Sequence, residues 1–148
     1  MSPHLYDCHV RFSDVDVYGH VNNVKYFEYY QEARIAFLQS GPAGQSEESG
    51  EMFGTGSGER QVVARIDVDY KRPILFRPEP YAVETRVTRV GTSSYDLGCR
   101  ILDRPGGEVY SEAEVRLVAF DLRTQRSRPL TDVERARLHA ALAVEADG

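Results

Sequence analysis

Over the second half of the chain, apolar and polar positions alternate with a period of two. Val62, Ala64, Ile66, Val68 and Tyr70 share one face, with mostly polar or charged residues between them, which predicts a half-buried antiparallel strand. Tyr81, Val83, Thr85 and Val87 repeat the pattern. Tyr95, Leu97, Cys99 and Ile101 follow after the turn Gly91-Thr92-Ser93, giving three strands in succession. The segment Asp103-Arg104-Pro105-Gly106-Gly107 has turn chemistry and launches Val109, Ala113, Val115 and Leu117. Apolar parity then switches to Val118, Phe120 and Leu122, which predicts a bulge near residue 118.

The first half is patterned differently. Residues 5 to 12 read as a weakly patterned strand, and 14 to 22 are polar and turn-like. From Asn23 to Gln39 the positions Tyr26, Tyr30, Ala33 and Phe37 follow helical spacing, with Phe27 and Leu38 widening the stripe. Gly41-Pro42 stops that helix. The stretch to Gly58 is rich in Gly, Ser and Glu and reads as a loop or lid. Thr131-Asp132-Val133-Glu134 has capping-box form and opens a short terminal helix through Leu138 and Leu142.

One strand, a long helix and a four-stranded meander cannot close a helical bundle or a βαβ sheet. The expected class is α+β, one domain over residues 1 to 148, with the long helix lying across a single antiparallel sheet. Such a sheet leaves open edges, and pairing with a second copy is a common remedy, so a homodimer or homotetramer is expected.

Composition narrows the function. The chain has 148 residues and a net charge of −5, with acids and bases interspersed, so no basic stripe offers itself to nucleic acid. Its longest apolar run is the five residues Ala140 to Val144, far short of the roughly 20 needed to cross a bilayer. The first residues lack a signal peptide's basic start and apolar stretch, which points to the cytoplasm. Cys8 and Cys99 are then expected to be reduced thiols. Cys8 and His9 do not make a catalytic pair, because neighbours on a strand face opposite ways. His4, His9, His20 and His139 are scattered without metal-ligand spacing, so no metal or other cofactor is expected.

Candidate chemistry concentrates between Arg11 and Leu38, where Asp14, Asp16, His20, Asn22 and Asn23 precede the helix. Free N–H groups at a helix start can bind an oxygen that becomes negative during reaction, and a nearby carboxylate can act as base or nucleophile. Asp14 and Asp16 lie on one side if this stretch is extended. Two close carboxylates would favour a shared proton, although hydrogen bonding to turn backbone is the commoner role for Asp14.

The run Asp14-Val15-Asp16-Val17-Tyr18-Gly19-His20-Val21-Asn22-Asn23-Val24-Lys25-Tyr26, followed by Tyr30 and Glu32-Ala33-Arg34, resembles the signature of hotdog-fold acyl thioesterases of the 4-hydroxybenzoyl-CoA thioesterase type. His20-Val21-Asn22-Asn23 is also similar to the acyl-carrier-protein thioesterases. The resemblance implies a sheet wrapped around one long helix and a hydrolase acting on acyl-CoA or acyl-carrier-protein thioesters. It implies that Asp16, the second acid of the pair, is catalytic, as nucleophile or as general base. It places the oxyanion donor in the backbone near Asn23, where the side chains of Asn22 and Asn23 can also serve as helix caps.

In the carrier-protein type a histidine at His20 joins the catalytic set with an asparagine two residues earlier. Here that residue is Tyr18, so the full set is not reproduced. Gly19 fits a tight bend that lets backbone approach substrate. Tyr26 could line an acyl pocket, although an aromatic stripe at this spacing is usually core. Lys71, Arg72, Arg77 and Arg89, with Gly91-Thr92-Ser93, are candidates for binding the phosphates of CoA, Arg89 and Ser93 foremost. A helix-borne glutamate is the rival acid, but Glu28 and Glu32 turn away from the apolar stripe. A hotdog hydratase motif, Asp-x-Asn-Pro-x-His, is not matched, since Asp16 and His20 are one residue too close and both Asn and Pro are missing. The rival outside enzymology is a protein that binds acyl thioesters without turning them over.

Overall fold

The computed structural model describes residues 3–40 and 59–147. The expected lid between Gly41 and Gly58 lies outside the described residues. Strand β1 spans His4–Cys8, a 3-10 turn covers Phe12–Asp14, and helix α1 runs Lys25–Ser40. Strands β2 (Glu59–Tyr70), β3 (Tyr81–Val90), β4 (Ser94–Leu102), β5 (Val109–Asp121) and β6 (Arg126–Ser127) precede helix α2 (Asp132–Asp147). All pairings are antiparallel, in the order β1-β3-β4-β5-β2, with β6 attached to β5.

The expected alternation holds cleanly on β4, while on β3 the inward positions are joined by Ala82 and Glu84, which are buried on the other face. Tyr81, Val83, Thr85 and Val87 of β3 and Tyr95, Leu97, Cys99 and Ile101 of β4 are all buried. All but Thr85 join one hydrophobic core with Tyr26, Tyr30, Ala33 and Phe37 of α1 and Leu138 of α2. Tyr30 fixes the helix across the sheet by donating its hydroxyl hydrogen to Ser111 Oγ on β5 at 2.7 Å. The capping box forms as expected, with Glu134 N donating to Thr131 Oγ1 at 3.1 Å and Thr131 N donating to Glu134 Oε1 at 2.9 Å.

Several expectations are corrected. The four strands after α1 are not one meander: only β3, β4 and β5 follow as neighbours, while β2 pairs with the far edge of β5. The connection from residue 71 to residue 80, with Pro73, Pro78 and Pro80, is too long and too poor in N–H donors for a hairpin, and it crosses to the other side of the sheet. The bulge lies on β2 at Ala64, where the pairing steps from Val63↔Leu117 to Arg65↔Arg116. On β5 the alternation continues inward to Ala119, which is fully buried. Strand β2 is consequently not cleanly amphipathic: Val62, Val63 and Tyr70 are exposed, and Ile66 and Val68 pack on the core.

Strand β1 stops at Cys8 because its partner register ends at Tyr81, beyond which Pro80 has no N–H to offer. Helix α1 starts two residues late because Lys25 N donates to Asn22 O at 2.9 Å, turning the chain before the helix. On α1, Tyr29 rather than Phe27 widens the buried stripe: Tyr29 is 1% exposed and Phe27 40%.

Candidate functional site

The segment before α1 folds into a tight hairpin. Asp16 N donates to His20 O at 2.9 Å, Val15 bridges Val21, and Asn22 N donates to Asp14 O at 2.8 Å. The tip is closed by Gly19 N donating to Asp16 O at 3.0 Å. Gly19 has φ +80°, in the left-handed region where glycine carries no steric cost. Val21 N donates to Ile74 O at 2.8 Å, and His20 bridges Leu75, which docks the hairpin on the chain after β2.

Within this hairpin Asp16 is exposed. Its Oδ1 accepts the N–H groups of Tyr18 at 2.9 Å and His20 at 3.2 Å. These bonds fix the carboxylate's orientation, the local arrangement that aspartate favours in turns. Among the described residues Oδ2 takes no hydrogen bond, and it stands open to solvent.

Asp14 has a different place. It is 1% exposed, and its Oδ2 accepts the Tyr29 hydroxyl at 2.6 Å and the Arg11 N–H at 3.0 Å. Arg11 Nε lies 3.6 Å from Oδ2 and Lys25 Nζ 3.9 Å from Oδ1. Burial would raise the Asp14 pKa, but the Tyr29 and Arg11 bonds and the two cations outweigh it and hold the carboxyl below its ordinary range. The Tyr29 phenol is pushed well up, first by burial and then by the Asp14 bond. Asp14 faces inward to Tyr29, so it does not form the shared-proton pair with Asp16. Tyr29 was missed in the sequence, although its place three residues after Tyr26 on the helical stripe is a readable signal.

The remaining candidates are dispersed around this hairpin and the sheet. Asn23, just past it, has an N–H without an acceptor among the described residues, while its carbonyl accepts the Tyr70 hydroxyl at 3.1 Å. Asn22 Oδ1 accepts Val24 N–H at 3.5 Å, a local turn contact just ahead of α1 and not a bond to a helical N–H. The His20 ring is exposed and lies 6.5 Å from the Tyr18 ring. Tyr26 is 3% exposed, stacked edge-on against Tyr70 at 4.7 Å and donating to Arg72 O at 3.4 Å. Arg89 lies elsewhere, donating to Asp96 and to Ser94 Oγ at 2.7 Å. The Ser93 carbonyl accepts Ala119 N–H at 2.8 Å. Arg77 stacks on Tyr81 and pairs with Asp103, Arg72 pairs with Glu108, and Lys71 pairs with Glu112.

Glu32 accepts from Tyr6 and Arg11, and Glu28 pairs with Lys25, so both are engaged on the helix flank. Burial raises the Cys8 thiol to about 12, which keeps it protonated and unreactive. A groove of ≈ 780 Å³ opens on the sheet face turned away from α1, between Arg86, Gly98, Arg100 and Glu114. None of the hairpin residues borders it. Around the hairpin the surface is instead apolar, with Phe12 80%, Val17 94% and Tyr18 80% exposed. Such a patch commonly marks a surface that is covered in the working assembly.

The thioesterase-like superfamily matches the chain over residues 10–138. The long-chain acyl-CoA thioesterase FadM of Escherichia coli (strain K12) is 30% identical over 129 residues, covering 87% of this chain and 92% of that protein. A putative thioesterase from Pseudomonas aeruginosa superposes with a TM-score of 0.74 at 34% identity, covering 92% of this chain and 98% of that one. A thioesterase from Thermus thermophilus, solved in complex with coenzyme A and Zn, superposes with a TM-score of 0.72 at 30% identity, covering 96% of each chain.

Proposed function

Since the chain belongs to the thioesterase-like superfamily and has its hotdog fold, we propose that this thioesterase hydrolyses acyl-CoA, with Asp16 as general base and the Asn23 N–H as oxyanion donor. The observation that carries the assignment is the division of labour within the Asp16 carboxylate: Oδ1 is held by two backbone N–H groups, and Oδ2 is left open.

Water reaches the exposed Oδ2, which takes a proton as the water oxygen bonds to the thioester carbonyl carbon. The carbonyl oxygen becomes negative and is met by the N–H at the entry to α1, where the helix dipole adds favourable potential. Collapse of the intermediate breaks the C–S bond, and Asp16 returns its proton to the departing thiolate. In this scheme His20 hydrogen-bonds the substrate or its water from the facing arm of the hairpin, and Gly19 keeps the tip low enough for the thioester to approach.

The CoA phosphates fall to basic and hydroxyl residues near the strand ends, Arg89 and Ser93 among them. Release of Arg89 from Asp96 would be required for a direct contact. A second copy of the chain covers the apolar surface of Phe12, Val17 and Tyr18 and supplies the missing wall of the acyl site, a reading supported by the exposed β2 edge. Cytoplasmic conditions suit its two buried free thiols, Cys8 and Cys99.

Thiol release from a panel of acyl-CoAs and acyl-carrier proteins tests the reading. Turnover of CoA esters, lost in Asp16→Asn, is expected, and no thiol release from any substrate defeats it. Rapid quench followed by mass spectrometry separates the two roles of Asp16. A chain heavier by the acyl group would replace the general base with a nucleophile.

A further inference from the structure

Asp14 is held at four points, by the turn before it, by the facing arm of the hairpin and by helix α1. Its main chain donates to Arg11 O at 2.8 Å and accepts from Asn22 N at 2.8 Å. Its carboxylate accepts from Arg11 N at 3.0 Å and from the Tyr29 hydroxyl at 2.6 Å, the latter four residues into α1 and buried. The two Arg11 contacts close the turn that leads into the hairpin, the Asn22 contact joins the hairpin's two arms, and the Tyr29 contact ties the hairpin to the helix. Asp16 is two residues away on one arm, and Asn23 is one residue past the Asn22 contact on the other.

We propose that Asp14 and Tyr29 form a positioning pair that sets Asp16 and the Asn23 N–H at their working separation, although neither touches substrate. This rests on the proposed roles of Asp16 and Asn23. The hairpin's own bonds fix its shape, and its bonds to Ile74 and Leu75 dock it on the chain after β2, but neither set fixes its orientation relative to α1. Oriented contacts with the helix supply that, and the Asp14–Tyr29 bond is buried, short and charge-assisted. The Tyr29 phenol remains the donor throughout the neutral range, which gives the contact one polarity.

A misplacement of about 1 Å can cost roughly 10²-fold in rate. Asp14→Ala is therefore expected to lower kcat by about 10²-fold with KM changed less than about threefold, measured where circular dichroism shows the chain folded. Tyr29→Phe should lower kcat by about tenfold, and the double variant should be no slower than Asp14→Ala, because both act through one contact. Asp14→Asn keeps an acceptor for Tyr29 and Arg11 and should recover most of the rate. Equal losses in Asp14→Asn and Asp14→Ala, or additive losses in the double variant, would overturn the pairing.

Amide hydrogen exchange provides a reading that does not need turnover. Asp14→Ala should speed exchange at Tyr18 and His20, whose N–H groups Asp16 holds, while β3 and β4 stay protected. If the parent enzyme proves inactive on every thioester yet exchange responds in this way, the functional reading falls and the positioning role stands. If the parent is active and neither kcat nor exchange responds to Asp14→Ala, the positioning role falls alone.

Discussion

Replacing Asp16 by Asn and by Ala separates chemistry from loop structure, because the two oxygens of its carboxylate have different partners. Asn retains an oxygen that can accept the Tyr18 and His20 N–H groups at the 2.9 and 3.2 Å positions now filled by Oδ1. It removes the base. A general base contributes about 10²–10⁴-fold, so a loss near 10³-fold in kcat is expected, equivalent to about 4 kcal/mol of transition-state stabilisation. Stability should change by less than about 0.5 kcal/mol, as at most exposed sites. Ala removes the base and both acceptor contacts. Because the site is open to water, the additional cost in stability is set at about 0.5–1 kcal/mol, the usual net value of such hydrogen bonds. Steady-state thiol release measures the first quantity, and urea unfolding at pH 7 the second. Asp16→Asn with kcat within threefold of the parent refutes the base assignment. An Ala variant as stable as the Asn variant refutes the structural role given to Oδ1.

The other predictions concern the turn, the apolar surface and the sheet. Gly19→Ala should destabilise by roughly 1 kcal/mol through its left-handed conformation and not through a clash, since a Cβ there would meet no atom within 4 Å; Gly19→Asn, which tolerates that region better, should lie between parent and Ala in urea midpoint, and an Ala variant indistinguishable from the parent would count against it. Val17→Asp places a charge on the most exposed apolar side chain of the site surface, and light scattering should show a dimer become a monomer with loss of kcat; a monomeric parent, or an unchanged dimer, removes the covering role. Asp96 is clamped by Arg116 and Arg89, which lower its carboxyl from 3.8 to about 2. Its folded-state pKa is depressed, so its stabilisation is present above about pH 4 and is lost as pH falls toward 2. Solvent screening reduces the nominal 2–3 kcal/mol of that shift to about 1 kcal/mol. The stability gap between parent and Asp96→Asn should therefore close between pH 4 and pH 2, and a gap constant over that range contradicts it.

What could be read in the sequence followed from how local its cause was. Strand β4 was legible because the core covers its Leu97, Cys99 and Ile101 face, and β3 because Val83, Thr85 and Val87 alternate inward with the small or polar Ala82, Glu84 and Arg86, although Ala82 and Glu84 are buried too. Strand β2 was legible as a strand but not in its facing. It is terminal in the sheet, its apolar residues fall on both sides, and the bulge at Ala64 is defined only by the register against β5. The β2–β5 pairing is a choice among distant partners, and nothing within either strand announces it. That Asp16 and Asn22-Asn23 stand just ahead of the helix was legible because their order in the motif matches a family signature. The inward turn of Asp14 was not, since its partner Tyr29 is defined by how the helix docks.

The same distinction separates the chemistry of the site from its specificity. In the proposed scheme, base, turn glycine and oxyanion donor all come from residues 16 to 23, a segment that makes its own bonds through Asp16 Oδ1, Gly19 N and His20 O. On that scheme the chemistry needs only this unit and one oriented attachment to the helix. The choice of acyl group then depends on surfaces outside it: the exposed Phe12, Val17 and Tyr18, the packing of Tyr26 against Tyr70, and whatever covers them. Substitutions on that surface should change which acyl-CoA is preferred through KM and kcat/KM, while those at Asp16 should lower kcat for every substrate alike. A variant panel of Tyr18 and Phe12 measured against short, long and aromatic acyl-CoAs would expose that division. A uniform loss across all acyl groups from Tyr18→Ala would place Tyr18 with the chemistry and not with the choice of substrate.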